Sequence, residues 1–317
     1  MELLDCQPLH RLPAFDWQRP HAHAALAEYA RYYGLDFSND MPDVQHCAGS
    51  HTLAGQSLAV QLFSRPGHKN TALVLHGYMD HVGLFAHLIR FLLANGYNVL
   101  TLDLPGHGLS FEGERAGIDD FQQYQAVVSA LIAEAHQQLA GGQWLLVGQS
   151  TGGAIAMDYV LNHAQQPFDR LVLLAPLVIP VQWRWVQAQL FFVRWFRGGV
   201  KRVFKNNSGD AAFLDFVHNR DPLQPRAIRT SWVAALHRWQ RHFHRSPPSA
   251  IDTLLIQGEQ DIIVDWRYNL AQIEKKFTRL RIMRMAEANH HLVNETLALR
   301  NEIFANIAGF LRQDLSR

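Results

Sequence analysis

From about residue 46 onward, short apolar runs rich in Leu and β-branched residues alternate with longer stretches of helical period. The runs at 72–76, 98–104, 143–147, 170–175, 253–257 and 280–285 scarcely alternate between apolar and polar positions, so they predict strands buried on both faces. Between them, His81–Asn95, Asp119–Leu139, Thr151–Gln165, Trp266–Phe277 and Thr296–Leu315 carry a helical spacing. Strand and helix in repetition predict an α/β fold, with a mostly parallel central sheet flanked by helices on both faces. Gln56 to Phe63 alternates more regularly, which predicts an early antiparallel strand paired with one near Gln45 to Gly49. Pro20 to Tyr33 reads as an extra N-terminal helix.

The alternation stops after Pro180 and resumes at Ile251. The interval holds 12 of the 34 aromatics and reads as several short helices, with Arg245-Ser-Pro-Pro-Ser249 as the return linker. The expected organisation is a core of residues 1–180 and 249–317, with 1–44 as an N-terminal extension, and an inserted helical cap or lid over 181–248.

Composition narrows the class. Of 317 residues, 48% are hydrophobic and 18% charged, which excludes a disordered chain, and 21 Gly with 13 Pro exclude a collagen-like or low-complexity one. No apolar run approaches the about 20 residues that span a bilayer, because Leu171 to Val181 is broken by Pro176 and Pro180. The N-terminus lacks the basic segment and apolar core of a secretory signal, and Cys6 and Cys47 are too few to staple the chain. These features predict a soluble protein in the reducing cytoplasm.

The net charge of +1 is an average over two unlike regions. Between Val181 and Pro248 stand 12 Lys and Arg against three Asp, a local charge of +9, while the remaining 17 cations and 25 acids leave −8 elsewhere. Basic and aromatic residues interleave in Phe191–Arg197 and Trp239–Arg245. That chemistry suits a long acyl chain and, peripherally, an anionic membrane surface, although the aromatics can equally form the insert's own core. No recognition motif accompanies the charge, which argues against nucleic acid.

Gly148-Gln-Ser150-Thr-Gly152 follows a predicted strand and opens a predicted helix. Gly-x-Ser-x-Gly in that context makes a sharp turn that pushes the serine hydroxyl outward, and the helix N-terminus favours developing negative charge there. Ser150 is therefore the candidate nucleophile. A serine needs a base that takes its proton and later returns it. A carboxylate is needed to orient that base; Asp261, which ends a predicted strand within Gly-x-x-Asp, fits best, and Glu259 and Asp265 are rivals, Asp265 being better suited to cap the following helix.

With these motifs the sequence resembles the α/β-hydrolase family, and within it the monoacylglycerol lipases and bacterial lysophospholipases. The likeness runs from about residue 45 to the C-terminus. It rests on Leu75-His-Gly-Tyr78, Asp103-Leu-Pro-Gly-His-Gly-Leu-Ser110, the serine turn, Gly258-Glu-Gln-Asp261 and Asn289-His-His-Leu-Val-Asn-Glu295, in the family's order. The resemblance implies that His290 rather than His291 is the base, since it precedes an x-Leu-x-Asn-Glu pattern. It also implies an oxyanion hole made by the backbone N–H groups of Tyr78 and Thr151, with Tyr78's ring or hydroxyl also able to face the site. His76, His107 and Asp103 read as architectural. Paired histidines at His21/His23 and His242/His244 are poor metal-site predictors, so no metal and no cofactor is expected.

The expected activity is serine carboxylic-ester hydrolysis through an acyl-enzyme, on lipid-like monoacyl esters of the lysophospholipid or monoacylglycerol type. A short-chain carboxylesterase or thioesterase with the same triad is the nearest alternative, and a non-catalytic ligand-binding protein on the same fold is an alternative of another class. An aminopeptidase needs acidic residues near a free ammonium group, which the insert scarcely offers, and a dehalogenase needs Asp where Ser150 stands. The sequence carries no signal of oligomeric state.

Overall fold

The computed structural model describes residues 3–111, 115–139, 141–193 and 199–313. In chain order the elements are α1 (Ala24–Tyr32), β1 (Gln45–Leu53), β2 (Gln56–Ser64), β3 (Asn70–Leu75), α2 (Ala86–Ala94), β4 (Tyr97–Leu102), α3 (Gln122–Gln138), β5 (Trp144–Gln149), α4 (Thr151–Asn162) and β6 (Arg170–Leu174). Then come α5 (Trp183–Val193), β7 (Gly199–Lys201), α6 (Ala211–Asp215), β8 (Ala227–Arg229), α7 (Thr230–Arg245), β9 (Asp252–Gly258), α8 (Trp266–Ile273), β10 (Leu280–Met285) and α9 (Leu297–Leu311).

Eight strands form one sheet in the order β1-β2-β4-β3-β5-β6-β9-β10. The pairs β1–β2 and β2–β4 are antiparallel and the other five are parallel. The mostly parallel sheet follows from strands whose side chains are apolar on both faces. Along β3, Leu73 and Leu75 join the core under α3 and α4, while Ala72 and Val74 join the core under α1, α2 and α9. All four are buried, and fully burying a Leu or Val side chain contributes about 1.5–3 kcal/mol. The expected parallel α/β layering is what the chain adopts.

Local differences have local causes. The helix read from His81 begins as a 3-10 turn over Val82–Phe85 and becomes α-helical only at Ala86. The Asp103 carboxylate takes the Val82 amide, so that first turn is held by a side chain rather than by the helix ladder.

The segment between the adjacent strands β6 and β9 leaves and re-enters the sheet at one edge of the site. Besides the expected helices it holds the short antiparallel ladder β7–β8, with Val200 opposite Ile228. Three-residue strands are too short for a period to register. Helix α7 is amphipathic: Trp232, Ala235, Leu236, Trp239 and Phe243 are buried, while Arg238, Arg241, His242, His244 and Arg245 are exposed. Its buried face lies on the sheet domain. Trp239 stacks on Phe121 with ring centroids 5.2 Å apart, the Gln240 amide donates to the Val178 carbonyl at 2.9 Å, and His242 faces Asp158 of α4 at 3.3 Å. For Trp232, Trp239 and Phe243 the aromatic character is therefore packing. The Phe191–Arg197 stretch lies outside the residues whose side chains are described.

Candidate active site

Ser150 ends β5 and caps α4 with φ +53° and ψ −114°, a left-handed conformation that a non-glycine residue adopts only when its surroundings impose it. Two neighbours explain how the turn fits. A Cβ at Gly152 would lie 2.1 Å from the Leu75 carbonyl oxygen, and one at Gly148 would lie 2.4 Å from the Gly152 carbonyl oxygen. Only glycine lets the turn press against the end of β3. The Ser150 amide donates to the Leu174 carbonyl at 2.9 Å and its carbonyl accepts from Leu177 at 3.0 Å, so β6 pins the turn from the other side.

His290 Nε2 stands 2.9 Å from Ser150 Oγ, and His290 Nδ1 stands 2.7 Å from Asp261 Oδ2. Asp261 accepts four hydrogen bonds: its Oδ1 takes the Ile263 and Val264 amides at 2.8 and 3.1 Å, and its Oδ2 also takes the Gln257 side-chain amide at 3.1 Å. Burial alone would push this carboxyl up. The facing His290 imidazole and the two backbone amides outweigh it and hold the group below its ordinary range. For His290 burial works against the charged form, but the Asp261 carboxylate, aided by Asp80, raises the ring above its usual value.

The two rival carboxylates are engaged elsewhere. Glu259 faces Arg284 of β10 at 3.4 Å, and Asp265 caps α8 through the Tyr268 amide at 3.2 Å. His291 is engaged elsewhere: its ring faces Asp80 at 3.4 Å and lies tilted against Phe213, while its amide donates to the Asn207 carbonyl at 2.7 Å.

Loops from three regions hold these groups. Gly258 again allows a close approach, since a Cβ there would lie 2.2 Å from the Asn289 carbonyl oxygen. The buried Glu295 carboxylate accepts the Asn289 amide at 2.6 Å and the Gly209 amide at 2.8 Å, tying the histidine loop to the insert. Gln257 and Glu295 carry no chemistry-bearing pattern of their own, and only Glu295 belonged to a recognised motif.

Gly77 lies against the Ser150 side chain, where an added Cβ would stand 3.3 Å from Ser150 Cβ, and the chain then turns sharply through Tyr78 and Met79, whose φ is +66°. Tyr78 and Thr151 thus flank the serine from the β3 turn and from the first turn of α4. The Tyr78 side chain is engaged with the insert and the loop at Ala116. It stacks on Trp232 at 3.7 Å and its hydroxyl donates to the Ala116 carbonyl at 3.0 Å, so it fastens α7 to the core. His76 accepts the Leu104 amide on Nε2 and therefore donates from Nδ1 to the Gly77 carbonyl. Burial pushes His76 down to about 3 and His107 to about 4, so both are neutral at ordinary pH and hold loops. Asp103 accepts the Val82 and Leu109 amides.

Three of the paired histidines read along the chain have partners elsewhere. His242 faces Asp158, His244 faces the Tyr268 hydroxyl at 3.3 Å, and His21 faces His46 at 3.3 Å.

A family model described as serine aminopeptidase, S33, matches residues 66–297. The chain belongs to this hydrolase family. Among its relatives, the monoglyceride lipase of Homo sapiens is 26% identical over 259 residues, covering 77% of this chain and 83% of the relative. Among solved structures, a soluble variant of monoglyceride lipase from Saccharomyces cerevisiae, in complex with a substrate analog, superposes with a TM-score of 0.70 at 16% identity, over 83% of this chain and 94% of that one. The monoacylglycerol lipase of Paleococcus ferrophilus superposes with a TM-score of 0.69 at 20% identity, over 80% and 98%. The sheet and its flanking helices are the α/β-hydrolase fold. Among the described residues of this hydrolase, no helix is long and apolar enough to cross a membrane.

Proposed function

We propose that this hydrolase cleaves carboxylic esters of the monoacylglycerol or lysophospholipid type through an acyl-enzyme on Ser150. The observation that carries the reading is the relay from Ser150 Oγ to His290 Nε2 and from His290 Nδ1 to Asp261 Oδ2, mounted on a strained turn. His290 takes the hydroxyl proton as Ser150 attacks the ester carbonyl, and the Asp261 carboxylate stabilises the imidazolium. The negative charge on the carbonyl oxygen is received by the Tyr78 and Thr151 N–H groups, each such donor contributing about 2.7–4 kcal/mol to the transition state. The alcohol leaves with the proton from His290. Water then attacks the acyl carbonyl, giving its proton to His290, and the fatty acid departs as Ser150 recovers its proton.

The family description raises peptidase activity as a second reading, which the insert disfavours. Its three carboxylates are already engaged: Asp210 caps α6, Asp215 faces Arg220 at 3.2 Å, and Asp221 is buried against His81. None is free to hold a substrate ammonium group. An insert carrying +9 with Trp185, Val200 and Val203 exposed suits the alternative, an amphiphile with a long acyl chain presented at an anionic surface. The test is a fluorophosphonate probe on wild type and Ser150→Ala, followed by rates on p-nitrophenyl esters of increasing chain length, monoolein and lysophosphatidylcholine. Labelling that depends on Ser150, with rates rising toward long chains, is expected. A sharp preference for acetate overturns the lipid assignment, and a folded wild type that does not label overturns the enzyme.

A further inference from the structure

Helix α1 lies ahead of the segment matched by the family, yet Tyr33 at its C-terminal end is buried. The Tyr33 hydroxyl donates to Asp221 Oδ1 at 2.7 Å. Asp221 belongs to the insert, and its Oδ2 faces His81 Nε2 at 2.9 Å, with neither side chain exposed. The Leu223 amide and the Gln224 side chain complete the set of donors at 3.0 and 2.9 Å, and Gln224 in turn accepts Arg202 beside β7 at 2.5 Å. Three separate stretches of chain therefore meet on one carboxylate. The His81 ring also packs edgewise on Tyr33 with centroids 4.9 Å apart, and among the described residues its Nδ1 has no hydrogen-bond partner. Among the described residues its directional side-chain tie is Asp221.

His81 immediately follows the turn Gly77–Asp80, which is closed by the Asp80 amide on the Gly77 carbonyl at 3.1 Å. Gly77 is the residue packed against the Ser150 side chain, and Tyr78 follows it. A shift of His81 is carried through one short turn to the backbone that faces the nucleophile.

We propose that Tyr33 is a positioning residue for the reaction: through Asp221 and His81 it sets the base of the insert and the turn bearing Tyr78 in a single register about Ser150. The inference rests on Ser150 being the nucleophile. It gives the N-terminal helix a catalytic consequence although it touches no substrate, because oxyanion donors act only when held within a few tenths of an ångström of their places.

Helix α1 supplies its own control. The neighbouring Tyr32 hydroxyl donates to the Arg220 carbonyl at 2.6 Å, a bond to the same stretch of the insert that bypasses the Asp221–His81 pair. Tyr33→Phe and Tyr32→Phe each remove one hydroxyl and keep the ring. The experiment measures the second-order rate of labelling by a small fluorophosphonate, kcat and KM on a short and a long p-nitrophenyl ester, and Tm, for both variants, for Asp221→Asn and for the Tyr33→Phe/Asp221→Asn double variant.

Tyr33→Phe is expected to slow labelling and to lower kcat on both esters about tenfold, with KM little changed, as loss of one bond to a buried charge implies. It should add nothing in the Asp221→Asn background. Tyr32→Phe should lose comparable Tm and label at the wild-type rate. The proposal is overturned if Tyr33→Phe labels like wild type, if Tyr32→Phe slows equally, or if the Tyr33 and Asp221 effects are additive. Should Tyr33→Phe not fold, Asp221→Asn must show the labelling loss alone, and normal labelling there is equally fatal. Wild type that fails to label would instead remove the Ser150 reading on which the inference stands.

Discussion

The Oδ2 atom of Asp261 is shared, with His290 Nδ1 at 2.7 Å and the Gln257 side-chain amide at 3.1 Å. Gln257 is fully buried on β9 and leaves Asp261 little freedom to rotate away from the imidazole. Asp261→Asn keeps the shape but offers His290 an amide where it needs an acceptor, so the ring takes the wrong tautomer. A fall in kcat on the order of 10⁴ is expected. Gln257→Leu leaves the carboxylate with the Ile263 and Val264 amides, and a loss of only about tenfold is expected from one missing hydrogen bond. Steady-state rates on a p-nitrophenyl ester check both, and equal losses would show that Gln257 does more than hold the carboxylate.

The pH dependence follows from the facing carboxylates. In the proposed mechanism His290 must be neutral to accept the serine proton, and against the effect of burial Asp261 together with Asp80 raises it above its ordinary 6.5. Activity is therefore present above the raised value and lost as pH falls through it. The acid limb of kcat/KM should have its midpoint above 6.5 and move to lower pH in Asp261→Asn, where one of the two charges is gone. A limb at or below 6.5 in wild type would remove the electrostatic account.

How far the sequence was legible depended on whether a residue worked alone or through neighbours. The inner parallel strands announced themselves by apolar runs, because they bury both faces, whereas β2 showed by alternation and the edge strand β10, read as buried on both faces, fully buries only Met285. Ser150 was marked by the two glycines whose missing Cβ atoms let the turn close. Asp261 was preferred to Glu259 and Asp265 by its place at the end of a strand, and the path of the chain turns its carboxylate toward His290. Gln257, the Glu295 brace and the Asp221–His81–Tyr33 junction gave no local signal of their roles. Each joins segments far apart in the chain, Tyr33 and Asp221 being separated by 188 positions. The ladder β7–β8 was hidden for the opposite reason, being too short for periodicity.

Gly152 is the stricter of the two glycines. A Cβ there meets the Leu75 carbonyl oxygen at 2.1 Å and the His76 carbonyl oxygen at 2.7 Å, both backbone atoms that cannot swing aside. Gly152→Ala must push α4 from the end of β3, costing about 1–3 kcal/mol in stability. The Ser150 hydroxyl is displaced with it. Fluorophosphonate labelling should fall more than a hundredfold while the chain remains folded below its reduced Tm. Unchanged labelling would mean the turn tolerates a shift that the packing does not allow.

Under the proposed presentation of substrate at an anionic surface, the basic insert would make two separable contributions. The buried aromatics of α7 cannot reach a bilayer, whereas Trp185, at 74% exposure, and Val200 and Val203, at 61% and 78%, can. Arg184, Lys201 and Lys205 are exposed in the same segment and supply attraction to anionic headgroups. Sedimentation with vesicles should show stronger binding to phosphatidylserine-containing than to pure phosphatidylcholine membranes, and the difference should shrink as salt shortens the screening length from about 10 Å at 0.1 M. Trp185→Ala should weaken binding to both membranes by a similar factor, about tenfold, because it removes apolar burial and leaves the charge. A paired Lys201→Gln/Lys205→Gln variant should weaken only the anionic case. Equal binding of wild type to neutral and anionic vesicles would sink the electrostatic part, and an unaffected Trp185→Ala would sink the apolar part.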